Sequence, residues 1–290
     1  MREACCKSLS RQGFTLVELL IVIAVVAVLI SLAVPALTGV RRSAAQAREI
    51  SSARQLVAAY NAYALDHDGR LMPGYYNPQL HDGHPPLHVL DEDGNPLPPN
   101  GEEAKRYPWR IAPYVGFDMR GLVADTDLLQ QLQGSMLPSY YLSLHPMLGM
   151  NSIFVGGDDS TTSGGAPYVG IYGGPLHVSR LSRVRRPADL IVFASARGLL
   201  SLPGFPQLVT EGYFRIRPPY IQNPDGEWAD VFQEQDPPGA FGNVSLRHIN
   251  RSAAVGFLDG SAGALTEVEI QDMRHWADQA TSPIWTITAP

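Results

Sequence analysis

The sequence predicts an α+β fold: a long amino-terminal helix packed on an antiparallel sheet that carries large loop insertions. Three observations predict it. From Phe14 to His67 the chain holds a helical pattern for 54 positions, first apolar all round and then apolar on one side. Beyond Gly69 that period gives way to short strand-like runs between loops rich in glycine and proline. Near the carboxyl end, Asp259-Gly260 separates two apolar runs, the pattern of a hairpin.

Composition supports a loop-rich body. Of 290 residues, 45% are apolar and 17% charged, with a formal net charge of −6. That length suffices for one large domain or two ordinary ones. Glycine and proline make up 27 and 24 residues, or about 18% together against a usual share of about 12%, which disfavours a helical bundle or coiled coil. The acidic balance argues against a general nucleic-acid binder, which needs a basic face to neutralise phosphates. The two cysteines, Cys5 and Cys6, are adjacent; they make neither a disulfide scaffold nor a zinc-ligand spacing.

Taken in order, residues 1–13 form a polar leader with Arg2, Lys7 and Arg11 against Glu3. In Phe14–Leu37, 20 of 24 residues are apolar, the exceptions being Thr15, Glu18, Ser31 and Pro35. As a helix this run spans about 36 Å, enough to cross a bilayer. A secretory signal carries an apolar region of about 7–15 residues and then a small-x-small exit; this run is longer and lacks that exit. A plain membrane anchor fits the length but gives no reason for Glu18, because a carboxylate in an apolar helix costs about 2.5–3.5 kcal/mol near the centre and less near an end.

Arg11-Gln12-Gly13-Phe14-Thr15-Leu16-Val17-Glu18 resembles the processing site of type IV pilins and type II secretion pseudopilins. The resemblance implies cleavage after Gly13 by a dedicated prepilin peptidase, methylation of the new terminus on Phe14, and Glu18 as the fifth residue of the mature chain. Pro35 stands where many pilins have a helix-bending proline, and removal of one helical hydrogen bond there should bend or locally melt the helix. Apart from the resemblance, a carboxylate one helical turn from a freed amine can pair with it or with the amine of an adjacent subunit, which favours one axial stagger. Gly13 and Phe14 are therefore the processing candidates, and Glu18 and Pro35 the assembly candidates. Basic residues do not choose the orientation, since Arg41, Arg42, Arg48 and Arg54 follow the apolar run. The family's peptidase site faces the cytoplasm, so the resemblance places the leader inside and the head outside.

Residues 38–69 continue the helix. Ile50, Ala53, Leu56/Val57, Tyr60 and Tyr63/Ala64 form an apolar stripe, with Arg41, Arg42, Arg48, Glu49 and Arg54 as the charges around it. His67-Asp68-Gly69 offers a glycine stop. Residues 70–290 then form the extracytoplasmic head. Its candidate strands are Tyr140–Leu144, Ile153–Val155, Tyr168–Tyr172, Leu190–Ala194 and Tyr213–Ile216. Its candidate helices are Glu102–Val115, interrupted by Pro108 and Pro113, then Asp125–Leu132 and His177–Val184.

At the carboxyl end, Ala253–Leu258 and Ser261–Leu265 read as strands around a two-residue Asp259-Gly260 turn. Thr266-x-x-Glu269 reads as a capping box opening a final helix, with Ile270, Met273, Trp276 and Ala280 on its apolar face. Arg247-His248 followed by Asp259-Gly260 resembles the H-x9-DG motif of large pseudopilin-like proteins abundant in planctomycetes, although ten residues rather than nine separate His248 from Asp259. Tyr107-Pro-Trp-Arg-Ile-Ala-Pro-Tyr and His145-Pro-Met-Leu-Gly-Met-Asn-Ser are similar to stretches of the same group.

Other clusters have two readings each. His248 and Asp259 could form a catalytic pair, but no nucleophile elbow or HExxH motif accompanies them; the structural reading is a turn aspartate and a histidine bonded to backbone near the hairpin. His81, His84 and His88, with His67, Asp68 and Asp82, could hold a transition metal or form a solvated loop, and Gly83, Pro85 and Pro86 oppose a helix there. Asp91–Asn95 and Gly157-Asp158-Asp159 could hold Ca²⁺, as the head loop of some type II pseudopilins does, or make turns. Arg180, Arg183, Arg185 and Arg186 could meet DNA or anionic glycans, or end a helix and pair with acidic neighbours.

The resulting expectation is a non-enzymatic, peptidase-processed structural subunit of a type II secretion or type IV pilus-like filament. It would be single-pass in the cytoplasmic membrane, with the head periplasmic or on a surface filament. Its partners would be the prepilin peptidase, other pilin or pseudopilin subunits and the inner-membrane assembly machinery, with no nucleic acid. No cofactor is expected, with Ca²⁺ kept as a candidate. The alternatives are an anchored extracytoplasmic binding protein that never polymerises, and an anchored enzyme.

Overall fold

A computed structural model describes residues 16–80, 87–123, 138–160, 176–201, 207–219 and 228–286. It is α+β. Helix α1 (Leu16–Asp66) is followed by short helices α2 (Glu102–Lys105), α3 (Tyr107–Ile111), α4 (Pro138–Leu144) and α5 (Glu267–Ile270). Strands β1 (Leu148–Met150), β2 (Ile191–Ser195), β5 (Ser252–Phe257) and β6 (Ala262–Thr266) form one antiparallel sheet in the order β1-β2-β5-β6; β3 (Arg197–Leu200) and β4 (Leu208–Glu211) form a separate hairpin. The chain divides into two compact units, Met1–Ala44 and Ala45–Pro290.

In the first unit α1 is exposed from Leu16 to Ser31 and its backbone is helical through Pro35, so no local melting occurs there. One missing N–H costs one bond, and the flanking turns keep theirs. Among the described residues no helix is long and apolar enough to cross a membrane. Phe14 and Thr15, with which the apolar run of the sequence begins, lie outside the described residues.

In the second unit α1 follows the expected stripe: Ala53, Leu56, Val57, Tyr60 and Ala64 are buried. The helix ends where Asp68 and Gly69 take φ of 55° and 75° and the Gly69 N–H returns to the Ala64 carbonyl at 2.7 Å. The stripe packs on one sheet face, where Tyr60 meets Phe193 edge-on at 5.7 Å between ring centres. Gly256 of β5 permits that approach, because a Cβ there would lie 2.6 Å from Val57 Cγ2. The opposite face buries Ile191, Ala194, Ala253 and Val255 against Phe241, Ile270, Met273 and Trp276. A register shift between Ile191 and Phe193 inserts an extra residue into β2, and Val192 and Phe193 both join the helix-side core.

Several local expectations are corrected. Tyr140–Leu144 is helical, within α4; Pro138 at its start supplies a fixed φ and needs no donor. The strand of that region is Leu148–Met150, not Ile153–Val155, which lies in a turn where the Val155 N–H bonds the Asn151 carbonyl at 3.0 Å. Tyr213–Ile216 is no ladder strand. It covers the outer edge of β1, with Met150 N–H to Phe214 O at 2.9 Å and Ile216 N–H to Met150 O at 3.1 Å. His177–Val184 contributes only a 3-10 turn at Leu181–Arg183. Tyr168–Tyr172 and Asp125–Leu132 lie outside the described residues.

The hairpin loop has three residues, Leu258–Gly260, not two. Phe257 pairs with Ser261 through N–H to O at 2.9 Å, and only Gly260 takes positive φ, at 95°. Asp259 Oδ1 accepts from Ser261 N at 2.8 Å and from its hydroxyl at 2.6 Å, which closes the turn without a left-handed aspartate. The Thr266/Glu269 capping box is formed, but it opens a single turn, and Met273–His275 follows as a separate 3-10 turn. Ile270, Met273, Trp276 and Ala280 are all buried, as their spacing required.

Candidate functional site

Two regions hold the residues singled out by the sequence. Gly13 and Phe14 lie outside the described residues. Glu18 is in the first turn of α1, where the helix dipole favours a carboxylate, and it is exposed among the apolar side chains Leu16 to Ile30. Pro35 lies within the same helix. Arg41, Arg42, Arg48 and Arg54 are exposed along α1 and form no ion pair or hydrogen bond among the described residues.

The second region is built on a residue the sequence reading placed among surface charges. Glu49 is 3% exposed. It stands on the stripe one turn before Ala53, so the helix delivers its carboxylate into the head. Oε1 accepts from Arg247 Nη2 and Ser195 Oγ, each at 2.6 Å. Oε2 accepts from Arg247 Nε at 3.1 Å and lies 2.7 Å from His248 Nε2. Burial alone would push the Glu49 carboxyl up; the Arg247 guanidinium, His248 and Ser195 outweigh it and hold it below the usual carboxylate value. Arg247 also pairs with Glu211, which accepts from Ser245 at 2.9 Å, and Gln46 Nε2 donates to Ser252 Oγ at 3.2 Å.

The ring of His248 thus binds a helix carboxylate, while only its backbone N–H serves the hairpin side, bonding Ser252 O at 3.2 Å. Asp259 and Gly260 make the turn at the other end of the β5–β6 hairpin. His248 and Asp259 are not brought together as a pair. Ser195 and His248 both address Glu49 instead of each other, so the hydroxyl is not hydrogen-bonded to the imidazole that would activate it.

The remaining stretches serve packing. Tyr107 OH donates to Leu148 O at 2.5 Å and Trp109 Nε1 to Ser139 O at 2.8 Å. Asn151 Nδ2 donates to Ile191 O at 3.0 Å and Trp276 O at 2.9 Å, tying the sheet to the carboxyl-terminal segment. His145 is fully buried, 2.9 Å from the Gly212 carbonyl, and burial pushes its imidazole down to about 4. Asp91 accepts from the N–H groups of Asp93 and Asn95, a turn arrangement. Asp158 is buried against Arg215 at 2.9 Å and Ser152 at 2.8 Å. His81, His84 and Asp82 lie outside the described residues, and His67 stacks on Tyr63 at 3.8 Å. Among the described residues no three His, Cys, Asp or Glu gather as metal ligands. Arg186 donates to the carbonyls of Ala277, Asp278 and Ala280, and Arg180 to that of Asp68, so part of the basic cluster closes local chain ends.

Residues 9–34 match the family model described as the prokaryotic N-terminal methylation motif. That match supports a type IV pilin-like character for the amino-terminal segment. No curated protein and no solved structure matches the chain.

Proposed function

We propose that this chain is a non-enzymatic structural subunit of a type II secretion or type IV pilus-like filament. A prepilin peptidase cuts it after Gly13 and methylates Phe14. Phe14–Leu37 holds it in the cytoplasmic membrane and packs against the same segment of other subunits, with the head outside. The observation that carries this reading is the methylation-motif match over residues 9–34, with Glu18 in the first turn of α1. In an apolar setting the Glu18 carboxylate can pair with the freed amine of a neighbour, and that pairing favours one stagger. The role calls for no cofactor. In the head, the Glu49 network fastens residues 46–64 of α1 to the sheet.

Mass spectrometry of the protein purified from membranes of the producing cell tests the first step. A chain beginning with N-methylated Phe14 is expected, and an intact leader overturns the proposal. Sheared surface or periplasmic fibres probed for this chain test the second; a processed chain that never enters fibres leaves the anchored binding protein as the reading.

A further inference from the structure

Beside α5 lies an open groove of about 630 Å³. Val231, Val268 and Pro283 are its apolar lining, and Asp230, Glu269 and Asp272 line it with carboxylates. Val268 is 82% exposed and Val231 50%, an unusual placement for two valines side by side in a groove. The carboxylates are unevenly used. Asp272 pairs with Arg274, and Glu267 in the same wall with Arg251. Glu269 spends Oε2 on Thr266, and Asp230 has no partner among the described residues. Four carboxylates thus face two guanidiniums, with His275 beside them.

The complementary surface is on α1. From Gly39 to Gln55 the exposed charged residues are Arg41, Arg42, Arg48 and Arg54, because Glu49 is buried. Arginine suits this groove: its methylene stem covers apolar side chains while its planar fork bonds carboxylates. The groove also sits near Gln46 of α1. Its helix α5 continues from Thr266, which pairs with Ser252, and Ser252 receives Gln46 of α1.

We propose that the groove receives the arginine-bearing stretch of α1, residues 41–54, from a second copy of this chain. This inference rests on the filament reading and adds a lateral head-to-helix contact to it. An anionic lipid headgroup meets the same arginines but is repelled by the groove, so the two occupants are separable.

The test uses the full chain with Cys5→Ser and Cys6→Ser, in cells that process it. Two differently tagged copies carry Val268→Cys and Ser51→Cys, Ser51 being exposed one turn from both Arg48 and Arg54. A short bismaleimide is expected to join the two tags. Arg48→Glu with Arg54→Glu should lower that product by about tenfold or more, and adding Asp230→Arg should restore most of it. Sheared fibres without the cross-link overturn the contact and leave the filament reading standing. The cross-link without fibres supports the contact and overturns the filament reading, and neither product defeats both. A cross-link indifferent to the charge reversals, while binding to phosphatidylglycerol vesicles is lost, assigns the arginines to lipid and overturns the contact.

Discussion

Replacing Glu49 by alanine removes the acceptor on which Arg247, His248 and Ser195 converge at 2.6–3.1 Å. Hydrogen bonds to a charged group contribute about 1.5–3 kcal/mol each, but they share one carboxylate and are not additive. Arg247 keeps the carbonyls of Ala196 at 3.0 Å and Met147 at 3.3 Å, and it keeps Glu211, whose side chain is 43% exposed and therefore screened. His248 and Ser195 lose the carboxylate they share, at a place where both side chains are nearly buried. The expected cost is that of breaking one buried pair, about 3–5 kcal/mol. For a compact unit the size of Ala45–Pro290, each kcal/mol moves Tm by about 2–4 °C, so the full chain in detergent should melt about 6–20 °C lower. Glu49→Gln keeps an acceptor without the charge and should fall between. A Tm shift under about 3 °C, or a coupling with Arg247→Ala under about 0.5 kcal/mol in a double-mutant cycle, would refute the reasoning.

Acid should act on two sites in sequence. The His145 imidazole is held down to about 4 from 6.5; the unfolded chain binds its proton first, so about 3 kcal/mol of stability present above pH 6.5 is lost as pH falls towards 4. His145→Asn should flatten that limb of a urea-denaturation pH profile. Glu49 lies below its ordinary value of 4.5, so its contribution is intact above pH 4.5 and lost below, a limb that Glu49→Gln should lack. Gly256→Ala places a Cβ 2.6 Å from Val57 Cγ2 and 3.1 Å from Ala53 O; overpacking of about 1–3 kcal/mol is expected in a chemical melt, with partial recovery on Val57→Ala. Glu18→Ala should leave the mass of the mature amino terminus unchanged and abolish recovery in sheared fibres; equal recovery removes Glu18 from assembly.

The broad architecture was legible because period survives tertiary context. The stripe through Ala53, Leu56, Val57 and Tyr60, the apolar Ile191–Ala194 run and the Thr266/Glu269 box each state their environment locally. Glu49 was misread because a carboxylate is ordinarily a surface residue; the available signal was its place one turn before Ala53, on the apolar side of the helix. Its partners lie 146 to 199 residues away, beyond the reach of any spacing rule. Tyr140–Leu144 is apolar enough for a strand or a buried helix, and only its packing against α2 and α3 decides. His248 and Asp259 stand at opposite ends of β5, which keeps them apart: the histidine faces α1 and the aspartate shapes a turn.

The distance along the chain between Glu49 and its receptors also sets an order of events during synthesis. Residues 45–66 emerge among the first, with a carboxylate and an apolar stripe but no sheet to receive them. β2 arrives some 140 residues later, and Arg247 and His248 later still. Such widely separated contacts close slowly, since a long loop must be ordered before any of them forms. The nascent head therefore stays open until Arg247 and His248 are made, and a chain stopped short of residue 247 leaves Glu49 without either of them. A single ion cluster so doubles as a checkpoint: the helix is seated only when both ends of the head are present, and prematurely ended products remain open to proteases and chaperones.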